Sequence, residues 1–162
     1  MKNLFIIITI LISSISVFGV TKKHKMTQEE ITNIVASTLY FEARGEGETG
    51  IKAVASIIWN RAHEKRWSKL GLAGVCLQKK QFECHNKGFK QANPIKALDK
   101  KAWIYCQKIA KEMTNGTFKP ITTGNHYLTV KFFNKVSSSH WAKKMIETKI
   151  IGKNFNPNFF AA

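Results

Sequence analysis

The chain has 162 residues, a length that suits one domain with a substantial core and is short for two. Its 44% hydrophobic and 11% aromatic residues exclude a disordered basic tail, because that much apolar surface can be buried on folding. The formal charge of +16, from 26 Lys and Arg against 10 Asp and Glu, indicates a polyanionic partner. Nucleic acid, an anionic membrane and an anionic wall polymer all fit that charge. One Asp and nine Glu leave few ligands for a site built from clustered carboxylates.

The first 19 residues have the organisation of a secretory signal. A basic start at Lys2 precedes the apolar run 4–11, and small residues at Val17 and Gly19 suit cleavage after Gly19. An uncleaved membrane anchor is the alternative. The longer run that includes the following serines reaches only about 17 residues, however, which is marginal for a bilayer. We expect residues 1–19 to be a signal peptide, followed by a basic segment over 20–26. An exported protein seldom meets nucleic acid, so export favours a wall or membrane partner.

Three helices are predicted in the first two thirds of the remaining chain. Thr27 and Glu30 form a capping box, and helical spacing of apolar residues extends the first helix to about Ala43. The second helix is predicted over about 49–66, and the third over about 95–114. The loop between them contains glycine and two cysteines.

The pattern changes towards the C-terminus. Residues 126–130 alternate in a way that suits a short strand, 141–147 suit a short helix, and 149–151 suit a second strand. Together with the helices, these elements predict a single α+β domain that is mainly helical.

The three cysteines are interpreted in the light of export. Cys76 and Cys84 could close a small disulfide loop in an oxidising compartment, which would contribute about 2–3 kcal/mol in the chain-entropy model. Two unbonded structural cysteines are the alternative. Cys106 falls in the third predicted helix and is expected to be a buried thiol. Because no CxxC occurs, we expect no structural zinc, and nothing in the sequence calls for a cofactor.

One carboxylate falls on an apolar helical face. At about 100° per residue, Glu42 projects within about 20° of Ile31 and continues the apolar stripe of the first helix. A partly desolvated Glu there can be held protonated near neutral pH and act as a general acid. The alternative is a Glu that turns to solvent, or one that pairs with Arg44 or Arg61.

Four blocks follow one another in a fixed order along the chain. They are YFEARGEGETG at 40–50 with AVA at 53–55 and IWNR at 58–61; VCLQ at 75–78 with QFEC at 81–84; NHYLT at 125–129; and HWAK at 140–143. Together they resemble the SleB-like cell wall hydrolase family of spore cortex-lytic enzymes and their bacterial and phage relatives, over about residues 27–152. The resemblance implies a lysozyme-like catalytic domain over 27–162 that cleaves the glycan strands of peptidoglycan. The family's catalytic acid is the first Glu of EARGE, here Glu42.

A lysozyme-type hydrolase would need a second carboxylate as nucleophile or base. The candidates are Glu46, Glu48 and Glu83. We expect Glu46, one turn beyond Glu42, to be a second acid or to orient the loop, and Glu48 to lie in the first turn of the second helix. If no second carboxylate is suitably placed, Glu42 alone serves as acid and base in lytic transglycosylation, in which the substrate's own 6-hydroxyl closes an anhydro ring.

Several aromatic and polar residues are predicted to bind the glycan, because aromatic rings stack on sugar faces. They are Tyr40, Gln81, Phe82, His126 and Tyr127. Core packing is the alternative for each aromatic residue. Near the C-terminus, Asn154 stands where the family's Ile-Gly-x-His element has a histidine.

The expected partner is therefore the glycan of peptidoglycan, bound by a monomer that is periplasmic, wall-associated or extracellular. Lysines make up 23 of the 26 basic residues and are spread along the chain, which argues against a nucleic-acid groove. Two other functions remain open. A Cys/His peptidase would pair Cys76 or Cys84 with His126 or His140, and a non-catalytic basic protein would simply bind the wall.

Overall fold

The computed structural model describes residues 25–88 and 99–127, together with residues 135 and 137. This part of the chain is mainly helical, as predicted. Its α-helices are α1 (Gln28–Ala43), α2 (Gly47–His63), α3 (Gly71–Leu77) and α4 (Lys100–Thr114), and Ser68–Leu70 and Glu83–His85 form short 3-10 helices.

The predicted capping box begins α1. The Thr27 hydroxyl accepts from the Glu30 N–H at 3.2 Å, and the Glu30 carboxylate accepts from the Thr27 N–H at 2.7 Å. Each side chain thereby satisfies a backbone donor that the helix cannot pair internally. The end of α1 at Ala43 also agrees with the prediction.

Two helix boundaries differ from the sequence-based expectation. The second helix begins at Gly47, whose φ of +70° provides a sharp turn after α1, and ends at His63 rather than at 66. The last long helix begins at Lys100 rather than near 95, because the Asp99 carboxylate accepts from the Ala102 N–H at 2.9 Å and caps the helix there.

The core forms where α1, α2 and α4 pack together, with α3 against α1 and α2. α1 lies between the other helices, which explains why the apolar stripe that ends near Glu42 faces protein rather than solvent. The largest fully buried aliphatic side chains are Leu39, Ile51, Ile57, Ile58, Ile109, Met113, Val35, Val54 and Val75.

After α4 the chain returns along α2 as the extended segment 121–127. Ser56 and Asn60, four residues apart on one face of α2, and Glu64, the residue just after the end of α2, bind this segment. Their partners are the Ile121 N–H (2.9 Å), the Thr122 and Gly124 carbonyls (2.9 and 2.7 Å) and the Asn125 side-chain amide (2.8 Å). This ladder of side-chain bonds fixes the path of the segment as it approaches α1.

The predicted C-terminal β element is not confirmed. Of the predicted strand 126–130, the described residues His126 and Tyr127 do not belong to a strand. Just before them, the Thr122 and Gly124 carbonyls bond to the side chain of Asn60 on α2. The predicted helix at 141–147, the predicted strand at 149–151 and residues 128–130 lie outside the described residues. The same holds for Asn154 and for residues 1–19, the predicted signal peptide. No helix within the described ranges is long and apolar enough to cross a membrane.

Candidate active site

Glu42 lies where three parts of the chain meet. It occupies the last turn of α1 and is partly buried. The Tyr127 hydroxyl donates a hydrogen bond to its Oε2 at 2.7 Å, and the Glu83 backbone N–H is a donor near the same carboxyl group that favours its charged form. Donors from two separate segments thus meet at Glu42, and the bond from Tyr127 orients its carboxyl group.

The donor from Glu83 is positioned by contacts one turn earlier on α1. Thr38 lies four residues before Glu42 on the same helical face, and its Oγ1 is 2.7 Å from Nε2 of His85. Phe82 anchors the other side of the segment, with only 1% of its side chain exposed. The short helix Glu83–His85 is thus held against the last two turns of α1.

The donor from Tyr127 stays protonated across the neutral range. Burial raises the pKa of Tyr127 far above its usual value, and the neighbouring Glu42 carboxylate raises it further. The phenol therefore acts as a hydrogen-bond donor and not as an acid in this site.

The pKa of Glu42 is raised above its ordinary value of 4.5. Burial is the largest cause, because it disfavours the charged form, and the nearby Glu83 carboxylate adds to the increase. The hydrogen bonds from Tyr127 and from the Glu83 N–H act in the opposite direction by stabilising the carboxylate. A carboxyl group in this balance retains its proton at a higher pH than an exposed Glu does.

Arg61 places a buried cation beside the two donor segments. Its side chain is 6% exposed; Nε donates to the Asn125 carbonyl at 2.6 Å and Nη1 donates to Gln81 Oε1 at 2.9 Å. The rings of Trp67 and Phe82 lie 5.6 and 6.0 Å from the guanidinium carbon. Arg61 therefore joins α2, the segment 81–85 and the segment 121–127.

Comparison with known proteins identifies the family. The sequence model described as cell wall hydrolase matches residues 45–155, more than half of the chain. The chain belongs to the cell wall hydrolase family. The matched region begins three residues after Glu42, so the role of that residue rests on the geometry above and on the resemblance of the EARGE block.

Two solved structures share the fold of this cell wall hydrolase. The catalytic domain of the Bacillus cereus SleB protein is 22% identical, with a TM-score of 0.58 over 85% of this chain and 94% of that one. The catalytic domain of the germination-specific lytic transglycosylase SleB from Bacillus anthracis is 20% identical, with a TM-score of 0.56 over 85% and 98%. No curated protein matches the sequence. These matches confirm the predicted SleB-like fold.

The residues predicted to bind glycan fall into two groups in the cell wall hydrolase. Tyr127 is partly buried and bonded to Glu42, whereas His126 is partly buried with its ring 6.4 Å from that of Trp67. Gln81 is exposed, and its amide oxygen is bonded to Arg61. Tyr40 and Phe82 are each 1% exposed. Their predicted stacking on sugar therefore finds no support, because both rings are enclosed by the core.

The three candidate second carboxylates lie in different surroundings. Glu83 is exposed and close enough to raise the pKa of Glu42. Glu48 lies in the first turn of α2, as expected. Glu46 precedes α2 without capping it through its side chain, and its Oε2 is buried with no hydrogen-bond partner among the described residues. Of the three, Glu83 is the carboxylate whose charge raises the pKa of Glu42.

The predicted disulfide is not present in the structure. Cys76 is a thiol, and both Cys76 and Cys84 are buried beside the Thr38 hydroxyl. Burial raises the pKa of Cys76 to about 12 and that of Cys84 to about 11. Since disulfide formation starts from a thiolate, both thiols are poorly reactive in this state, and the bond stays a prediction for the oxidising compartment. Cys106 is buried in α4, as expected.

Metal ligation has no obvious place in the described part of the chain. No group of three or more His, Cys, Asp or Glu side chains within residues 25–88 and 99–127 is arranged to hold a metal ion.

Arg61 and the Glu83 N–H are the two parts of the site that sequence reasoning did not assign. A backbone donor has no sequence signature. Arg61 does have one, because it follows Val54 and Ile58 at intervals of seven and three residues and so lies on the apolar stripe of α2. A charged residue on an apolar stripe is the same signal that singled out Glu42 on α1.

Proposed function

We propose that this cell wall hydrolase cleaves the glycan backbone of peptidoglycan between MurNAc and GlcNAc, with Glu42 as the general acid and base. The observation that carries the proposal is the partly buried Glu42 carboxyl group, held by Tyr127 and the Glu83 N–H. A glycosidase needs an acid that protonates the glycosidic oxygen as the sugar ring gains oxocarbenium character. A Glu with a raised pKa supplies that proton closer to neutral pH than an exposed Glu does.

We further propose that the reaction is lytic transglycosylation. Glu42 first protonates the leaving oxygen, and its carboxylate then takes the proton of the substrate's 6-hydroxyl as that oxygen attacks the anomeric carbon. Glu83 is exposed, and the buried Oε2 of Glu46 has no hydrogen-bond partner among the described residues; a mechanism with a single catalytic carboxylate requires neither of them. The Bacillus anthracis neighbour, which is described as a lytic transglycosylase, supports the same reaction.

Mass spectrometry of purified peptidoglycan after digestion tests this proposal. We expect glycan fragments with anhydro ends, each lighter by one water than the corresponding hydrolysis product. Reducing, non-anhydro ends alone would overturn transglycosylation in favour of hydrolysis. Newly freed amino groups on uncut glycan would overturn glycosidase activity altogether.

A Cys/His peptidase is the less favoured function. Its candidate nucleophiles, Cys76 and Cys84, have thiol pKa values raised to about 12 and about 11 by burial. A thiol becomes a good nucleophile when its pKa is lowered, usually by a nearby cation or helix N-terminus. The partner His126 has a lowered pKa, and His140 lies outside the described residues.

The charge of +16 gives a testable expectation for wall binding. We expect affinity for whole cell walls to fall steeply as salt rises from about 0.01 M to about 1 M, because the Debye length shrinks from about 30 Å to about 3 Å. Co-sedimentation with purified walls measures the effect. Walls stripped of anionic polymers are the control and should show a weaker salt dependence. Binding that is insensitive to salt would contradict attraction by charge.

We also propose that residues 1–19 direct export to the periplasm, the wall or the medium. Membership of a cell wall hydrolase family supports an exported protein. The intact mass of the protein recovered from outside the cytoplasm should correspond to a chain that begins at Val20. Retention of the full-length chain in the cytoplasm would contradict the proposal.

A further inference from the structure

We infer that Arg61 is a positioning residue that sets both hydrogen-bond donors of Glu42. The inference rests on the proposed role of Glu42. Arg61 binds the Asn125 carbonyl with Nε and the Gln81 side chain with Nη1, at 2.6 and 2.9 Å. One guanidinium thus holds two segments that are separate in sequence.

Each segment bonded to Arg61 supplies a donor to Glu42 two residues later. Tyr127 follows Asn125, and Glu83 follows Gln81, by the same interval. Two residues of chain span at most about 7 Å, so the bond to the Asn125 backbone carbonyl restricts where Tyr127 can lie. The bond to Gln81 is made by its side chain and restrains Glu83 less tightly. The Tyr127 hydroxyl and the Glu83 N–H are therefore placed relative to one another by a single side chain.

Arg61 bonds to the two donor segments and not to the carboxyl group of Glu42. The groups that shift the pKa of Glu42 are Tyr127, the Glu83 N–H and the Glu83 carboxylate, and Cys84 is the other titratable group that faces it. The charged and titratable groups that face Arg61 are Tyr127, Arg66, Glu64, Cys76 and His126. Arg61 is thus a step removed from the reacting carboxyl group.

The chemistry of this bond pattern requires an arginine. A guanidinium is a rigid planar fork that can donate in two directions at once, whereas a lysine ammonium is a single point on a flexible stem. The two acceptors bonded to Arg61 are neutral oxygens of Asn125 and Gln81. Burying a cation costs desolvation free energy, and hydrogen bonds to neutral partners offset little of that cost. This favours a positioning role over a purely structural one.

The test compares two variants. Arg61→Lys keeps the positive charge but removes the planar guanidinium that donates in two directions. Gln81→Leu, at an exposed position, removes the acceptor of one of its two hydrogen bonds. Arg66→Lys is the matched control, because it keeps the charge and Arg66 bonds directly to neither donor segment. Arg66 is stacked 3.9 Å over Trp67 and pairs with Glu64 at 3.8 Å. We expect kcat/KM on soluble glycan strands to fall by about 10- to 100-fold in Arg61→Lys, and by less in Gln81→Leu.

A pH profile separates positioning from a merely structural role. Misaligned donors stabilise the Glu42 carboxylate less well, so the decline of kcat/KM at high pH should move to higher pH in both variants and stay in place in Arg66→Lys. A 13C NMR titration of the Glu42 carboxyl group gives the same shift without an activity assay. If Arg61→Lys fails to fold, the pH profile and the Glu42 titration of Gln81→Leu alone test the positioning role.

Failure of the positioning role can be distinguished from failure of the proposed function. Folded Gln81→Leu and Arg61→Lys proteins with the wild-type Glu42 titration would overturn the positioning role, whatever their activity. A Glu42→Gln protein that keeps full activity would instead overturn the proposed function while leaving the titration result intact.

Discussion

Replacing Glu42 by Gln should lower the rate of glycan cleavage by about 10²- to 10⁴-fold, the range that a general acid usually contributes. The amide has the shape of the carboxyl group and its oxygen can accept from Tyr127, so the fold should persist. The amide is too weak an acid to transfer a proton to the glycosidic oxygen. Initial rates on soluble glycan strands measure the loss.

Stability provides an independent check on the same variant. Because the pKa of Glu42 is raised on folding, the carboxylate favours the unfolded chain at neutral pH. Glu42→Gln should therefore melt at the same temperature as wild type or higher at pH 7, and any gain should vanish below the ordinary Glu pKa, where both states are protonated. Glu29→Gln, an exposed change in the first turn of α1, is the control for loss of one negative charge. A melting temperature well below wild type would show that lost activity reflects lost structure.

Tyr127→Phe and Glu83→Gln should shift the pH dependence of kcat/KM in opposite directions. In the proposed mechanism, activity requires protonated Glu42 and declines as pH rises through its pKa. Removing the Tyr127 hydroxyl withdraws a bond that stabilises the carboxylate, so the decline should move to higher pH. Removing the Glu83 charge withdraws a repulsion while keeping the backbone N–H, so the decline should move to lower pH.

Glu48→Gln is the matched control for this pair, since it removes a carboxylate from the first turn of α2. The decline should stay at its wild-type pH. Shifts in the same direction for Tyr127→Phe and Glu83→Gln would contradict the electrostatics of the site. A loss of more than about 100-fold in Glu83→Gln would make Glu83 the second carboxylate of a hydrolase.

The features that the sequence predicted correctly are set by local spacing. Thr27 and Glu30 are three residues apart, so a capping box can be recognised without knowledge of the fold. Glu42 could be placed on an apolar face because helical periodicity relates it to the stripe of its own helix. The family followed from ordered blocks of sequence and is confirmed.

The features that were missed depend on contacts between distant parts of the chain. Tyr127 and Glu42 are 85 residues apart, and Arg61 and Asn125 are 64 apart. No periodicity within one element reports such a contact. Tyr40 and Phe82 were assigned to the substrate because aromatic composition alone does not distinguish a sugar platform from a core, and only packing decides.

Comparing the products that wild type and Glu42→Gln release from purified peptidoglycan tests the central claim most directly. Mass spectrometry should find anhydro-ended glycan fragments from wild type, and a yield from Glu42→Gln reduced by about 10²- to 10⁴-fold. Equal yields from the two proteins would contradict the account, as would wild-type products cut only in their peptides.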